Sequence, residues 1–268
     1  MSIGFKINTI SRIRSSPLVA LLVFSFAIPV SNGAAANQLL RLCHVPWGVF
    51  AGKDLPGKGI YPDITSRVLR KAGYQVEVSI IPWTRCIENV RSREYDIVTA
   101  AWEGKSFDAD FIYLNNTSID TINFIVLDGS SLNSGRFEDL RGKKIGILRD
   151  QGGMEDFYNH ADLFKFIHQS SSELALLRML IHGRVDAVLT NPAHLQSLAN
   201  SMTDEMTSKI RALLPPAQIN YASPIIAKSH PLAQQIKADF DEAFRALVAE
   251  GLYDDLERVH GVRLTHRP

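Results

Sequence analysis

Three tryptophans occupy positions where α/β proteins often do chemistry. Trp47, Trp83 and Trp102 each follow or close a segment that reads as a β-strand. Interior positions usually take Leu, Ile or Val, so core packing alone explains them poorly. An aromatic face at a strand end suits stacking on a planar or cationic group. Cationic side chains stand nearby in sequence: Arg85 and Lys105, and Arg149 ahead of the turn Gln151, Gly152 and Gly153. That turn opens a helix, and its glycines would let backbone N–H groups face a ligand where the helix dipole favours an anionic group. Tight packing is the other use of such a turn. Glu103, beside Trp102, is the one candidate for proton transfer, with a solvated loop glutamate as the alternative. No paired carboxylates, Ser-His-Asp order or metal-ligand spacing can be recognised, so no catalytic residue and no metal site is assigned. The eight histidines, among them His44, His160, His168 and His194, are scattered, and His44 beside Trp47 is the candidate cleft residue. Neither G-x-x-x-x-G-K-[ST] nor G-x-G-x-x-G occurs, and no cofactor is expected.

The elements that would position these residues alternate. Leu39 to Val45 is a short apolar run stopped by Pro46, as in a buried strand. "YPDITSRVLRKAGY" reads as a helix, with Asp63 near its start, Ile64, Val68 and Leu69 on one stripe and Gly73 past its end. "QVEVSII" alternates as a strand up to Pro82, and "TRCIENVRSREYDIVTAA" supplies a helix and the strand Asp96 to Ala101. This is β-α-β-α-β, a parallel sheet with helices on its faces. The pattern then restarts: strand Lys144 to Leu148, a helix start in "GGMEDFYNHA", strand Leu163 to His168, helix Ser172 to His182 and strand "VDAVLT". Two such systems joined near Asn123 to Asp128, with no low-complexity linker, predict two α/β lobes and a hinge made of strands. A final helix is predicted over Leu232 to Glu250, ended by Gly251.

The first residues bear on compartment. Lys6, Arg12 and Arg14 precede the apolar run Leu18 to Val30, and Ala34 to Ala36 supply small residues. Residues 1–36 therefore read as a cleavable signal peptide. The run of 13 residues is short for a membrane span, which needs roughly 20. Cleavage removes three basic residues from 29 Lys+Arg against 28 Asp+Glu, leaving 26 against 28. A near-neutral chain is no footprint for nucleic acid. Both cysteines, Cys43 and Cys86, remain in an oxidising compartment, where a bridge between them and two buried free thiols are the open alternatives.

Taken in order, "GKGIYPDITSRVLRKAGY", "PWTRCIENVRSREYDIV", "EDLRGKKIGILR", "LRMLIHGRVDAVLTN" and "HPLAQQIKADFDEAFRALVAEGLYDDLERVHG" resemble the family-3 type of bacterial periplasmic solute-binding proteins, the receptors of amino-acid ABC transporters. The resemblance spans nearly the whole mature chain. It implies the type II periplasmic-binding-protein-like fold: lobe 1 from residues 37–124 completed by 222–268, lobe 2 from 125–221, a ligand cleft between them and two hinge crossings. It also implies a monomer in the periplasm that captures a small polar ligand and delivers it to a membrane permease. Trp47 would cover the ligand, and "KKIGILRDQGG" would be the first strand and cleft loop of the second lobe.

Two departures weaken a standard α-amino acid as ligand. The Thr-x-x-Arg stretch whose arginine clamps an α-carboxylate in the family is replaced by "WEGKSFDAD", and the aspartate that meets the α-amino group is replaced by Asn191. Lys105, Arg85 or Arg149 would then be the carboxylate partner. Some periplasmic cyclohexadienyl dehydratases resemble these receptors, so an enzyme using Glu103 is the rival reading. A sensor or lytic module is the third, and the chain's end at Pro268 leaves no room for its fused partner.

Overall fold

The computed structural model describes residues 38–149, 152–201 and 210–265. The expected signal peptide and Gln151 lie outside these residues, as does the side chain of Lys105. Among the described residues ten strands make one sheet: β1 Leu39–His44, β2 Gln75–Ile80, β3 Ile97–Trp102, β4 Phe111–Tyr113, β5 Ser118–Leu127, β6 Lys144–Leu148, β7 Phe166–Ser170, β8 Ala187–Thr190, β9 Ile210–Ala212 and β10 Gln218–Ala227. The helices are α1 Ile60–Lys71, α2 Trp83–Arg91, α3 Lys105–Asp108, α4 Glu155–Asn159, α5 Glu173–Ile181, α6 Pro192–Ser201, α7 Ala233–Ala249 and α8 Leu252–His260.

The strand order is β2-β1-β3-β10-β5-β8-β6-β7, with β4 added on β10 and β9 on β5. At one end β2, β1 and β3 are parallel, and at the other β8, β6 and β7 are parallel. These are the two β-α-β systems of the sequence, each forming the sheet of one lobe. Between them run β5 and β10, antiparallel and ten residues each. The start of β5, Ser118 to Ile122, pairs with β10, while Asn123 to Leu127 pairs with β8 and β9. Conversely, Gln218 to Ala222 of β10 pairs with β5, and its far end continues onto β3 and β4. Each strand thus starts in one lobe and ends in the other, giving two crossings made of continuous β-structure.

Alternation along the strands builds a core on each face. In the first lobe Leu40 and Leu42 of β1 pack with Ile64 and Val68 of α1 and with Phe240 and Phe244 of α7. Cys43 points to the opposite face, toward Cys86, Val90, Val98 and Ile225. A disulfide joins Cys43 to Cys86, with Cα atoms 5.7 Å apart. In the second lobe Phe124, Ile145, Phe157 and Leu189 fill one face, and Leu176, Leu180, Val188 and Leu195 fill the other.

Two expectations are corrected. The last helix does not end the fold: Gly251, at φ +91°, stops α7 in the left-handed region, and α8 follows with Leu252 and Leu256 buried one turn apart. The strand expected over Leu163 to His168 begins instead at Phe166. Leu163 belongs to a 3₁₀ turn and Phe164 turns into the core, so pairing with β6 starts at Lys144 opposite Phe166.

Candidate functional site

The carboxyl ends of β1, β3 and β6 converge on a cavity of about 510 Å³, the place where open α/β sheets bind ligands. Trp47, Trp83 and Trp102 all line it, together with Gly152 and Gly153 from the turn after β6. Local structure explains each tryptophan's position. Pro46 breaks β1, and Trp47 opens a tight turn whose carbonyl accepts from the N–H of Phe50 at 2.9 Å. Trp83 is the first residue of α2, directly after Pro82. Trp102 is the last residue of β3. The rings pack in pairs: Trp47 meets Trp102 edge-on at 5.5 Å, and Trp83 meets Phe107 edge-on at 6.0 Å.

Behind Trp47 and Trp102 lies a buried polar network. Asp120 of β5, only 4% exposed, accepts hydrogen bonds from the hydroxyls of Tyr61 (2.5 Å) and Ser118 (2.9 Å) and from Trp102 Nε1–H (2.7 Å). A buried carboxylate is tolerable only when its lone pairs are occupied in this way. Burial raises the pKa of Asp120 against the pull of these bonds, and burial followed by the neighbouring Asp120 raises that of Tyr61 well above the ordinary phenol. Tyr61 in turn stacks on His44 and on Trp47, each at 5.9 Å between ring centroids. His44 lines the cavity and donates Nδ1–H to the Val45 carbonyl at 2.7 Å. Burial pulls its pKa down to about 4, so the imidazole is neutral at pH 7 and Nε2 is left as an acceptor.

The second lobe supplies backbone and carboxylates. Gly153 sits at φ +65°, where a Cβ would stand 2.4 Å from the Trp102 ring and 2.7 Å from Asn220 Nδ2. Asn220, on β10 opposite Asp120, donates to the Gly153 carbonyl at 3.0 Å. A reciprocal approach occurs across the cleft. At Gly48, φ +45°, a Cβ would lie 2.1 Å from the imidazole of His194 on α6. The lobes therefore touch through one glycine each. Glu173, the first residue of α5, lines the cavity and accepts from Thr190 Oγ1 at 2.8 Å. Its Oε2 lies 2.8 Å from His194 Nδ1, a close approach without the alignment of a hydrogen bond. Glu155 and Glu103 also reach the cavity; Glu103 accepts from Ser223 Oγ at 2.7 Å.

Three expected contacts fall elsewhere. Arg85 is exposed on the first turn of α2 and does not line the cavity, because two residues along a helix turn the side chain roughly 200° from Trp83. The side chain of Arg149 is exposed and outside the lining, while its N–H continues the ladder to Ser170 at 2.7 Å. Asn191 is buried, and its Oδ1 caps α6 by accepting from the N–H groups of Ala193 (2.9 Å) and His194 (3.3 Å). The turn expected to greet an anion leads into a helix of only five residues, whose first turn carries Glu155 and Asp156. Sequence reasoning missed Glu155, Glu173 and Asp120. The signal for Glu173 is a serine cap directly before it; Asp120 stands among Ser118, Thr121 and Asn123 in β5 and carries no such signal.

Among the described residues no group of three His, Cys, Asp or Glu is placed to hold a metal ion, and no helix is long and apolar enough to cross a membrane.

No protein-family model matches the sequence, and no curated protein matches it. Solved structures match throughout. A histidine kinase sensor domain similar to periplasmic binding proteins superposes with a TM-score of 0.68 at 16% identity, covering 85% of this chain and 99% of its own. The substrate-binding protein of an amino-acid ABC transporter gives 0.64 at 15%, covering 84% and 100%. The arginine-, lysine- and histidine-binding protein of Geobacillus stearothermophilus gives 0.62 at 21%, covering 84% and 96%. At these identities the likeness is one of fold. The chain has the type II periplasmic-binding-protein fold, two α/β lobes joined by two strand crossings around a cleft.

Proposed function

We propose that this protein is a periplasmic solute-binding protein that captures a small polar ligand between its lobes and presents the closed form to the permease of an ABC transporter. Residues 37–124 with 222–268 make the first lobe and 125–221 the second, and residues 1–36 are the leader that directs export. The observation that carries this reading is the cavity itself: its walls come from both lobes, and the two crossing strands run between them. Ligand contacts on both walls would bias an open-closed equilibrium toward closure, and differential affinity for the closed state is all such a mechanism needs. Binding-protein neighbours support the non-enzymatic reading over a dehydratase built on Glu103.

The test is a thermal-shift panel of amino acids, polyamines, organic acids and aromatic metabolites, prephenate and arogenate among them, on the mature protein stripped of co-purified ligand. A compound at 100 times its Kd adds about 2.7 kcal/mol. A saturable shift with the compound recovered intact supports the receptor. A hit that is consumed overturns it in favour of an enzyme.

A further inference from the structure

The charge distribution of the cleft points to its ligand class. Among the described side chains lining the cavity, the ionisable ones are Glu103, Glu155, Glu173 and His44, and none is Lys or Arg. His44 donates Nδ1–H to a carbonyl and presents an acceptor, adding no positive charge. Glu173 is the best-formed of the carboxylates: its side chain is 9% exposed, held by Thr190 Oγ1 and flanked by His194. The first turn of α4, expected from the sequence to present backbone N–H groups to an anion, carries two carboxylates of its own. Against this acidic side stand the tryptophans. The indole N–H of Trp102 is bound to the Asp120 carboxylate. That contact fixes the ring and pushes electron density toward its face, which strengthens attraction for a cation.

We infer that the cleft takes an organic cation carrying no carboxylate, an amine, guanidinium or quaternary ammonium group seated on the tryptophan walls with Glu173 and Glu155 as its counter-ions. This rests on the receptor reading and narrows it. A zwitterionic amino acid would bring a carboxylate into a cavity with three acidic residues and no described basic partner, and an unpaired charge that must be desolvated is selected against.

Calorimetric titration with matched pairs tests it: agmatine against arginine and putrescine against ornithine, each pair differing by one carboxylate, and choline against betaine, in which a hydroxymethyl group stands in place of the carboxylate. The expected result is that at least one carboxylate-free member binds about tenfold or more tighter than its partner, and that Glu173→Gln weakens it by a similar factor while the circular dichroism spectrum is unchanged. Tighter binding of a carboxylate-bearing member overturns the inference and leaves the receptor standing. So does arginine or ornithine binding that is lost in Lys105→Ala, since a carboxylate partner would then have been found. Silence from all six compounds also overturns it, and the receptor reading is then decided by the wider panel.

Discussion

The two walls of the cleft are built on opposite plans. The first lobe offers large aromatic side chains, each held from behind: Trp102 by Asp120, and Trp47 by stacking on Tyr61. The disulfide lies directly beneath, joining the residue before His44 to the helix that begins at Trp83. The second lobe offers the backbone at Gly152 and Gly153 and the carboxylates Glu155 and Glu173. One wall is a preformed shape and the other a close-approaching, charged surface. Such a division suits a receptor whose first lobe recognises a ligand's outline and whose second lobe closes on its charge.

The largest expected effect breaks the first wall. Replacing Cys43 and Cys86 by serine removes a link across 43 residues, worth about 4 kcal/mol by loop-closure entropy. Urea unfolding should show that loss, and hydrogen exchange should rise over β1 and α2 while β6 and α5 stay protected. Equal loss of protection in both lobes would erase the contrast.

His44 gives the next effect. Its pKa falls from 6.5 unfolded to about 4 folded, so the unfolded chain takes up the proton first. This contribution is whole above pH 6.5 and drains as pH falls toward 4, by about 3 kcal/mol in all. Stability measured over that window should drop in the wild type and drop less in His44→Phe, which keeps the stacking on Tyr61. Parallel curves would remove His44 from the account.

The second wall depends on a missing Cβ. Gly153→Val would place side-chain atoms inside the Trp102 ring and Asn220 at a positive φ. A cost of about 2 kcal/mol on closure, roughly thirtyfold in ligand affinity, is expected. It is read by calorimetry with the panel's best ligand, and unchanged affinity would show that the lobes need not approach so closely. The smallest effect on binding is Trp83→Ala, about 1 kcal/mol from one partly exposed aromatic face, read by calorimetry and accompanied by some loss of unfolding free energy as its packing on Phe107 is removed.

Much of this was legible before the structure. The parallel strands β1, β3, β6 and β8 show short apolar runs and β2 a polar-apolar alternation ended by Pro82, and the tryptophans stand out because their type conflicts with a core role. The crossing strands were legible only as a hinge made of strands near Asn123 to Asp128, without their bounds or partners: β5 and β10 carry Asp120, Asn123 and Asn220 inside them, and their pairing depends on partners about a hundred residues away. Arg85 was placed in the cleft because sequence proximity to Trp83 ignores helical rotation. Asn191 carried its own explanation, since an asparagine directly before a proline is the signature of a helix cap and first turn. Glu155 and Glu173 look like ordinary first-turn acids, and only the fold turns them toward the cavity.

The most direct measurement uses a convenience of composition: the chain has three tryptophans, and all three line the cleft. Their combined emission therefore reports the site alone. Titrating the thermal-shift hits while following this emission should give a saturable change with the same Kd as calorimetry. A compound that binds stoichiometrically by calorimetry while leaving tryptophan emission untouched would contradict the claim that this cleft is where the protein holds its ligand.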